Sequence, residues 1–202
     1  MQSQSYTYLA LGDSYTIGEM VPLTDSFPYQ IVQLLRKEGF DFHAPEIIAK
    51  TGWTTDELQV AVNNYQFLKT YDFVSLLIGV NNQYRGRSTD EFAIDFEALL
   101  EQAIQFARNE SSHVVVLSIP DWGVTPFAEG RDREKIAKEI DIYNAVCREI
   151  CLRFNIYYIN ITPGTRETPA DNSLLAVDGL HPSGKEYKRW AELVAAFFKS
   201  KL

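Results

Sequence analysis

Short apolar runs alternate along this chain with longer stretches in which apolar residues recur at helical spacing. The runs contain four to six residues, the length of ordinary strands, and polar or turn-forming positions bound them. They lie at residues 6–11, 46–49, 73–78, 114–119 and 156–161. We therefore expect five strands, each followed by a helical segment.

The runs at 73–78 and 114–119 are apolar nearly throughout rather than at alternate positions. Strands of this kind are buried on both faces, which is typical of a parallel sheet between two helical layers. One long segment carries apolar residues at steps of three and four, which predicts a helix with one face toward the sheet. These residues are Ile136, Ile140, Tyr143, Cys147, Ile150 and Phe154. The pattern predicts a doubly wound α/β domain, and without a repeat or a long linker we expect residues 1–202 to form one unit.

Composition narrows the classes of partner and cofactor. The 202 residues include 27 acidic and 19 basic side chains, for a net charge of −8 without long runs of one sign, which disfavours nucleic acids and anionic membranes as partners. The two cysteines, Cys147 and Cys151, are too few for a disulfide framework or a four-cysteine zinc site, so we expect buried thiols and no metal. Residues 1–8 lack the features of a secretory signal, and no apolar stretch is long enough to span a membrane, so we expect a cytoplasmic location.

Polar and turn-forming residues follow the predicted strands at their carboxyl ends, where open parallel sheets form their sites. These segments are Gly12-Asp13-Ser14, Lys50-Thr51-Gly52, Gly79-Val80-Asn81-Asn82 and Pro120-Asp121-Trp122. Asp178 and His181 lie three residues apart in a turn-like segment before the last helical stretch. We expect all of these segments to meet at one edge of the sheet.

These residue types match the requirements of serine hydrolysis: an activated hydroxyl, an oriented base and donors for the developing oxyanion. Ser14 is the candidate nucleophile, His181 the candidate base and Asp178 the carboxylate that orients the imidazole. The candidate oxyanion donors are the backbone N–H groups of Ser14 and Gly52 and the side-chain amide of Asn81.

Each motif alone is a weak signal, but their order and their positions after successive strands are more specific. In these motifs the chain resembles the SGNH hydrolases, also called GDSL esterases and lipases, from the Gly12-Asp13-Ser14 segment to His181. The resemblance implies a flavodoxin-like three-layer α/β/α sandwich. It also implies hydrolysis of esters or thioesters through an acyl-enzyme intermediate, without a metal or an organic cofactor, and it implies the same roles for the five site residues.

Two positions depart from the usual family pattern. Tyr15 follows the nucleophile where leucine is common, which leaves the lining of the acyl pocket open. Asn82 follows Asn81 where aspartate is common, so the loop that carries Asn81 lacks a carboxylate that would otherwise fix it.

Further residues near the strand ends are candidates for substrate contacts. Aromatic side chains there can form the wall of a substrate pocket, although core packing is an equally good interpretation. Together with the two departures, the candidates are Tyr15, Trp53, Asn82, Tyr84 and Trp122, and Phe127 lies in the same region. Arg85, Arg87 or Arg166 can pair with an anionic group on the substrate, and the alternative for all three is an ordinary solvated arginine.

The leading hypothesis is a serine hydrolase for small or medium esters, such as an acetylated sugar, a lysophospholipid or an acyl thioester. Because the connections between predicted elements are brief, we expect an open cleft that favours short acyl groups. Two alternatives remain: a flavodoxin-like binding module, and a catalytically silent relative that binds carbohydrate. The sequence does not indicate an oligomeric state.

Overall fold

Helices and strands alternate along residues 5–202, the part of the chain that the computed structural model describes. The strands are β1 (Ser5–Tyr6), β2 (Tyr8–Asp13), β3 (Asp41–Phe42), β4 (Glu46–Lys50), β5 (Phe73–Leu77), β6 (Val114–Leu117) and β7 (Tyr157–Ile159). The helices are α1 (Ser14–Ile17), α2 (Phe27–Lys37), α3 (Thr55–Asn64), α4 (Val80–Tyr84), α5 (Thr89–Phe106), α6 (Arg133–Arg153), α7 (Thr162–Thr165) and α8 (Gly184–Lys199). Part of the prediction about the N-terminus concerns residues 1–4, which lie outside the described residues.

Five parallel strands form the main sheet in the order β4-β2-β5-β6-β7. This confirms the predicted five-stranded parallel sheet and the α/β class. In chain order these strands are the second, first, third, fourth and fifth, which is the flavodoxin-like arrangement. The strand order reverses between β2 and β5, so the crevice at their carboxyl ends is where such a sheet forms its site.

Two sets of helices cover the sheet. Helix α2 packs against α8, while α5 packs against both α3 and α6. All residues of β2 and β5 are buried, so both faces of the sheet are covered. The predicted stripe along α6 is buried as expected, except for Phe154, which is half-buried at the C-terminal cap.

The first predicted strand, at 6–11, is two strands in the structure. Residues Ser5–Tyr6 pair with Asp41–Phe42 in a separate two-stranded sheet, and β2 begins only at Tyr8. The chain changes partner at Thr7, where the Asp72 carboxylate accepts hydrogen bonds from the Thr7 backbone N–H and hydroxyl, both at 2.8 Å. This contact joins residues 65 positions apart, so the local apolar pattern could not indicate it.

Within the described residues, no helix combines the length and the apolar composition needed to cross a bilayer. Both cysteines are free and buried, as the sequence predicts. Burial raises the pKa of the Cys147 thiol well above its ordinary value, with the neighbouring Cys151 adding to the effect.

Candidate active site

The candidate nucleophile lies on a tight strand-to-helix turn. Strand β2 ends at Asp13, and Ser14 is the first residue of α1. A Cβ atom on Gly12 would lie 2.4 Å from the backbone oxygen of Leu77 and 2.1 Å from the Thr16 hydroxyl oxygen. Only glycine therefore lets β2 pass this close to β5 directly before Ser14.

Asp13 is a buried carboxyl group next to the candidate nucleophile. It caps α1 by accepting a hydrogen bond from the Tyr15 backbone N–H at 3.0 Å. Removal from water raises the pKa of Asp13 to about 7, and that hydrogen bond offsets only part of the effect. Asp13 therefore titrates near neutral pH, and it directly precedes Ser14 in the chain.

The candidate base is oriented by a carboxylate in its own loop. Asp178 Oδ2 lies 2.6 Å from His181 Nδ1. Asp178 Oδ1 accepts hydrogen bonds from the backbone N–H groups of Leu180 and His181 at 3.1 and 3.0 Å. Because Asp178 holds Nδ1, Nε2 is the imidazole nitrogen that remains to take up a proton.

The electrostatics of Asp178 follow from these bonds. Partial burial acts to raise the pKa of Asp178, but the hydrogen bonds from the imidazole and the two backbone N–H groups outweigh it. The pKa therefore lies below its ordinary value, and the carboxylate is ionised at neutral pH.

Ser14 and His181 line the same cavity, which has a volume of about 190 Å³. Gly52 and Asn81, the other two predicted oxyanion donors, also line it. The remaining lining residues are Tyr15, Thr51, Val80, Tyr84, Trp122, Phe127 and Leu180. The cavity thus brings together residues from the ends of β2, β4 and β5 and from the loop before α8.

Two contacts position the loops that carry Gly52 and Asn81. Gly52 adopts a φ of +85°, and its carbonyl accepts a hydrogen bond from Arg85 Nη2 at 2.6 Å. Asn81 Nδ2 donates to the Trp53 carbonyl at 2.9 Å and lies 3.5 Å from Asp13 Oδ2. Hydrogen bonds therefore tie the loops after β4 and β5 to each other.

Two of the predicted substrate contacts lie elsewhere. Asn82 is fully buried, accepts a hydrogen bond from the Thr55 backbone N–H at 3.1 Å and donates to the Thr55 hydroxyl at 2.7 Å. It therefore joins the start of α3 to α4 instead of facing the cavity. The side chain of Trp53 lines a different groove along α3, together with Asp56 and Val60. Tyr15, Tyr84 and Trp122 do line the cavity.

The three arginines considered for an anionic substrate group are instead paired with carboxylates of the chain. The pairs are Arg85 with Glu57 at 3.2 Å, Arg87 with Asp56 at 3.1 Å, and Arg166 with Asp121 at 2.8 Å and Asp141 at 2.7 Å. These pairs favour the alternative interpretation, in which the three arginines are ordinary surface residues, and a role in binding substrate stays a prediction.

Sequence reasoning missed four residues at or beside the cavity. Thr51, Val80 and Leu180 are direct neighbours of predicted site residues. Arg131 has its guanidinium carbon 5.0–5.8 Å from the ring centroids of three aromatic residues of the cavity wall. Its spacing of four from Phe127 is the only local signal, and such spacings are too common to single it out.

Metal chemistry has no candidate ligand set in residues 5–202, where no three His, Cys, Asp or Glu side chains are grouped to hold an ion. The arrangement at the cavity instead offers a hydroxyl, an oriented imidazole and several N–H donors. These are the components of nucleophilic acyl transfer.

Comparisons with known proteins point to the same chemistry. The model of the GDSL-like lipase/acylhydrolase family matches residues 10–189. A search of curated proteins gives no match.

Solved structures share the fold at low sequence identity. A lipase/acylhydrolase from Enterococcus faecalis has a TM-score of 0.76 at 20% identity, over 98% of this chain and 97% of its own. The acetylxylan esterase Axe2 from Geobacillus stearothermophilus has a TM-score of 0.75 at 18% identity, over 98% and 96% of the two chains. A member of the lipolytic G-D-S-L family from Veillonella parvula has a TM-score of 0.71 at 16% identity, over 98% and 100%.

Proposed function

We propose that this chain, which belongs to the GDSL-like lipase/acylhydrolase family and is a carboxylic ester hydrolase, cleaves short-acyl esters through an acyl-enzyme on Ser14. His181 is the general base in this proposal, and Asp178 orients it. The single observation that carries the proposal is that Ser14 and His181 line one cavity while Asp178 holds the opposite side of the imidazole.

The first half of the reaction forms the acyl-enzyme. His181 Nε2 takes the proton of the Ser14 hydroxyl as its oxygen attacks the acyl carbon. The backbone N–H groups of Ser14 and Gly52 and the amide of Asn81 stabilise the oxyanion of the tetrahedral intermediate. The intermediate then expels the alcohol, which receives the proton from His181.

The second half releases the acid. A water molecule gives a proton to His181 Nε2 and attacks the acyl carbon, forming a second tetrahedral intermediate. Its collapse returns the proton to Ser14 Oγ and frees the carboxylic acid. Asp178 remains ionised throughout and stabilises the imidazolium.

The size of the cavity favours short acyl groups. Its volume of about 190 Å³ is below the range of roughly 300–1,000 Å³ typical of pockets for drug-sized ligands. An acetyl group fits within this volume, whereas a palmitoyl chain would extend beyond it. An acetyl ester also agrees with the similar fold of the acetylxylan esterase.

Of the three substrate classes expected from the sequence, an acetylated sugar and a short-chain acyl thioester agree with a cavity of about 190 Å³, whereas a lysophospholipid carries a long acyl chain that exceeds it. The alternative functions, a binding module or a silent relative, give no role to the pairing of Asp178 with His181. A cytoplasmic location stays a prediction.

The experiment compares hydrolysis of an aryl acetate and an aryl palmitate by the protein and by its Ser14→Ala variant. We expect the acetate to be cleaved with the higher kcat/KM and the variant to be inactive on both. Preference for the palmitate would refute the short-acyl assignment. If the protein cleaves neither aryl ester and no member of the three substrate classes, the proposed reaction is refuted.

A further inference from the structure

Three aromatic rings form one side of the cavity. We call Tyr84, Trp122 and Phe127 the aromatic wall. The ring centroids of Tyr84 and Trp122 are 5.3 Å apart, and those of Trp122 and Phe127 are 6.0 Å apart. Trp122 is 4% exposed, whereas Tyr84 and Phe127 are 45% and 44% exposed. The aromatic wall therefore runs from the interior of the cavity to its mouth.

The guanidinium group of Arg131 covers the aromatic wall. Its central carbon lies 5.0 Å from the ring centroid of Tyr84, 5.4 Å from that of Trp122 and 5.8 Å from that of Phe127. A stacked guanidinium contacts rings with its face and presents its N–H donors at the edge. One donor, Nη2, bonds to the Tyr84 hydroxyl at 3.0 Å.

No carboxylate within residues 5–202 lies close enough to Arg131 to form an ion pair, in contrast to Arg85, Arg87 and Arg166. The chain has a net charge of −8, so acidic side chains are abundant. Arg131 is exposed, does not itself line the cavity, and has its guanidinium beside three residues that do.

The small cavity also implies different locations for the acyl and the alcohol parts of the ester. In the proposed reaction the acyl group lies in the small cavity beside Ser14, so the alcohol must extend through the mouth. There it meets the exposed rings of Tyr84 and Phe127, and the Arg131 guanidinium lies 5.0 and 5.8 Å from their centroids. Rings bind the apolar part of an alcohol, and the planar N–H edge of arginine matches a carboxylate or a phosphate.

We propose that Arg131 binds an anionic group, a carboxylate or a phosphate, on the alcohol half of the ester. The inference rests on the proposed function, because that function places the acyl half next to Ser14. It makes Arg131 a residue that determines specificity, with the aromatic wall as the platform that holds its guanidinium.

The test uses two acetate esters that differ in one charge, 4-acetoxy-3-nitrobenzoate and the neutral 4-acetoxy-3-nitrobenzamide. Release of the nitrophenol is followed for the protein and for Arg131→Gln, and the ratio of kcat/KM between the esters is compared. Intrinsic reactivity cancels in this comparison. We expect the substitution to lower the anionic-to-neutral ratio about tenfold or more, mainly through KM, since such a contact is present in both ground and transition states.

Matched controls separate this contact from general effects. Arg148→Gln makes the same change at an exposed arginine of α6 that lines a different groove. This variant should leave the anionic-to-neutral ratio unchanged. Arg131→Lys keeps the charge but loses the planar edge, so it should retain part of the preference. Acetate release from 4-acetoxyphenyl phosphate and from 4-acetoxybenzamide repeats the test with a phosphate, and the larger change in ratio identifies the preferred anion.

Failure of the Arg131 inference can be distinguished from failure of the proposed esterase function. An unchanged ratio in Arg131→Gln, whether or not both rates fall together, overturns the inference and leaves Arg131 as support for the aromatic wall alone. Cleavage of the neutral ester that depends on Ser14 would still uphold the esterase. If the unaltered protein cleaves neither ester, the proposed function fails first.

Discussion

Asp178 contacts His181 with both carboxylate oxygens: Oδ2 lies 2.6 Å from the imidazole Nδ1, and Oδ1 accepts the backbone N–H of His181 at 3.0 Å. Asp178 Oδ1 also accepts a hydrogen bond from the backbone N–H of Leu180 at 3.1 Å. The carboxylate is therefore fixed by the loop that it shares with the imidazole. The carboxylate that orients the base therefore lies within four residues of it, and the Tyr15 ring packs against the imidazole with the ring centroids 5.2 Å apart.

Asp178→Asn should lower kcat by up to about 10⁴ with little loss of stability. The two backbone N–H groups hold the side-chain oxygen in place, so the amide nitrogen of the variant faces His181 Nδ1. That nitrogen donates, which forces Nδ1 to accept and places the imidazole proton on Nε2, where it blocks uptake of the Ser14 proton. Steady-state kinetics on an aryl acetate measure the loss.

Asp171→Asn is the matched control. Asp171 accepts the Ser173 backbone N–H at 3.0 Å in a similar turn, but it pairs with Lys185 outside the cavity. Its substitution should leave kcat unchanged. Equal kcat in Asp178→Asn and the unaltered protein would exclude the orienting role.

The buried carboxyl group of Asp13 should make the stability of the protein depend on pH. Burial raises its pKa from 3.8 to about 7, so between these values the folded state binds more protons than the unfolded state. The contribution of Asp13 to the free energy of unfolding therefore falls as pH rises from about 4 to about 7. Urea unfolding across this range, compared with Asp13→Asn, should show the unaltered protein losing stability relative to the variant. Parallel curves for the two proteins would show that Asp13 does not titrate in this way.

Gly52→Ala should reduce both stability and turnover. The new Cβ would lie 3.8 Å from Arg85 Nη2, an ordinary contact, so the cost comes from the φ of +85° and is about 1–2 kcal/mol. Relief of this strain rotates the Gly52 N–H away from the oxyanion, which should lower kcat by about 10²–10³.

Gly39→Ala provides the comparison, because Gly39 has a φ of +93° and open space around it, outside the residues that line the cavity. It should lose similar stability in thermal unfolding while kcat stays unchanged. If both variants keep full turnover, the Gly52 N–H is not an oxyanion donor.

Asn82→Asp should destabilise the protein even though aspartate is the common residue at this position in similar hydrolases. The Thr55 hydroxyl donates its single proton to Asp95 at 2.9 Å and accepts from the Asn82 amide at 2.7 Å. A carboxylate at position 82 would face that hydroxyl without a proton between them, at a cost of about 1–3 kcal/mol. Adding Asp95→Asn supplies the missing donor and should recover part of the loss in denaturant unfolding. An equally stable single variant would contradict this hydrogen-bond chain.

The sheet could be predicted because its strands are buried and therefore apolar, and four of the five predicted strands differ from the structure only at their ends. The division at Thr7 could not be predicted, since it depends on Asp72, which is distant in the sequence. The prediction that Asn82 and Trp53 contact substrate in the cavity is also wrong, because neither residue lines it. Their sequence neighbours line the cavity, and the turn geometry that directs each side chain elsewhere is not visible in residue types.

The candidate site shows the same contrast. Ser14, Asn81 and the Asp178 to His181 segment could be named as candidates because the chemistry requires specific residue types directly after strands or close together in one loop. Arg131 was missed because its partners Tyr84 and Trp122 lie far away in the sequence. Contacts made by separate loops become visible only once the fold brings those loops together.

The most direct measurement is the site of covalent labelling by a fluorophosphonate probe, determined by peptide mass spectrometry. The account predicts a single adduct on Ser14 that appears together with loss of esterase activity and is absent from Ser14→Ala. An adduct on another residue, or undiminished labelling and activity in Ser14→Ala, would show that Ser14 is not the nucleophile.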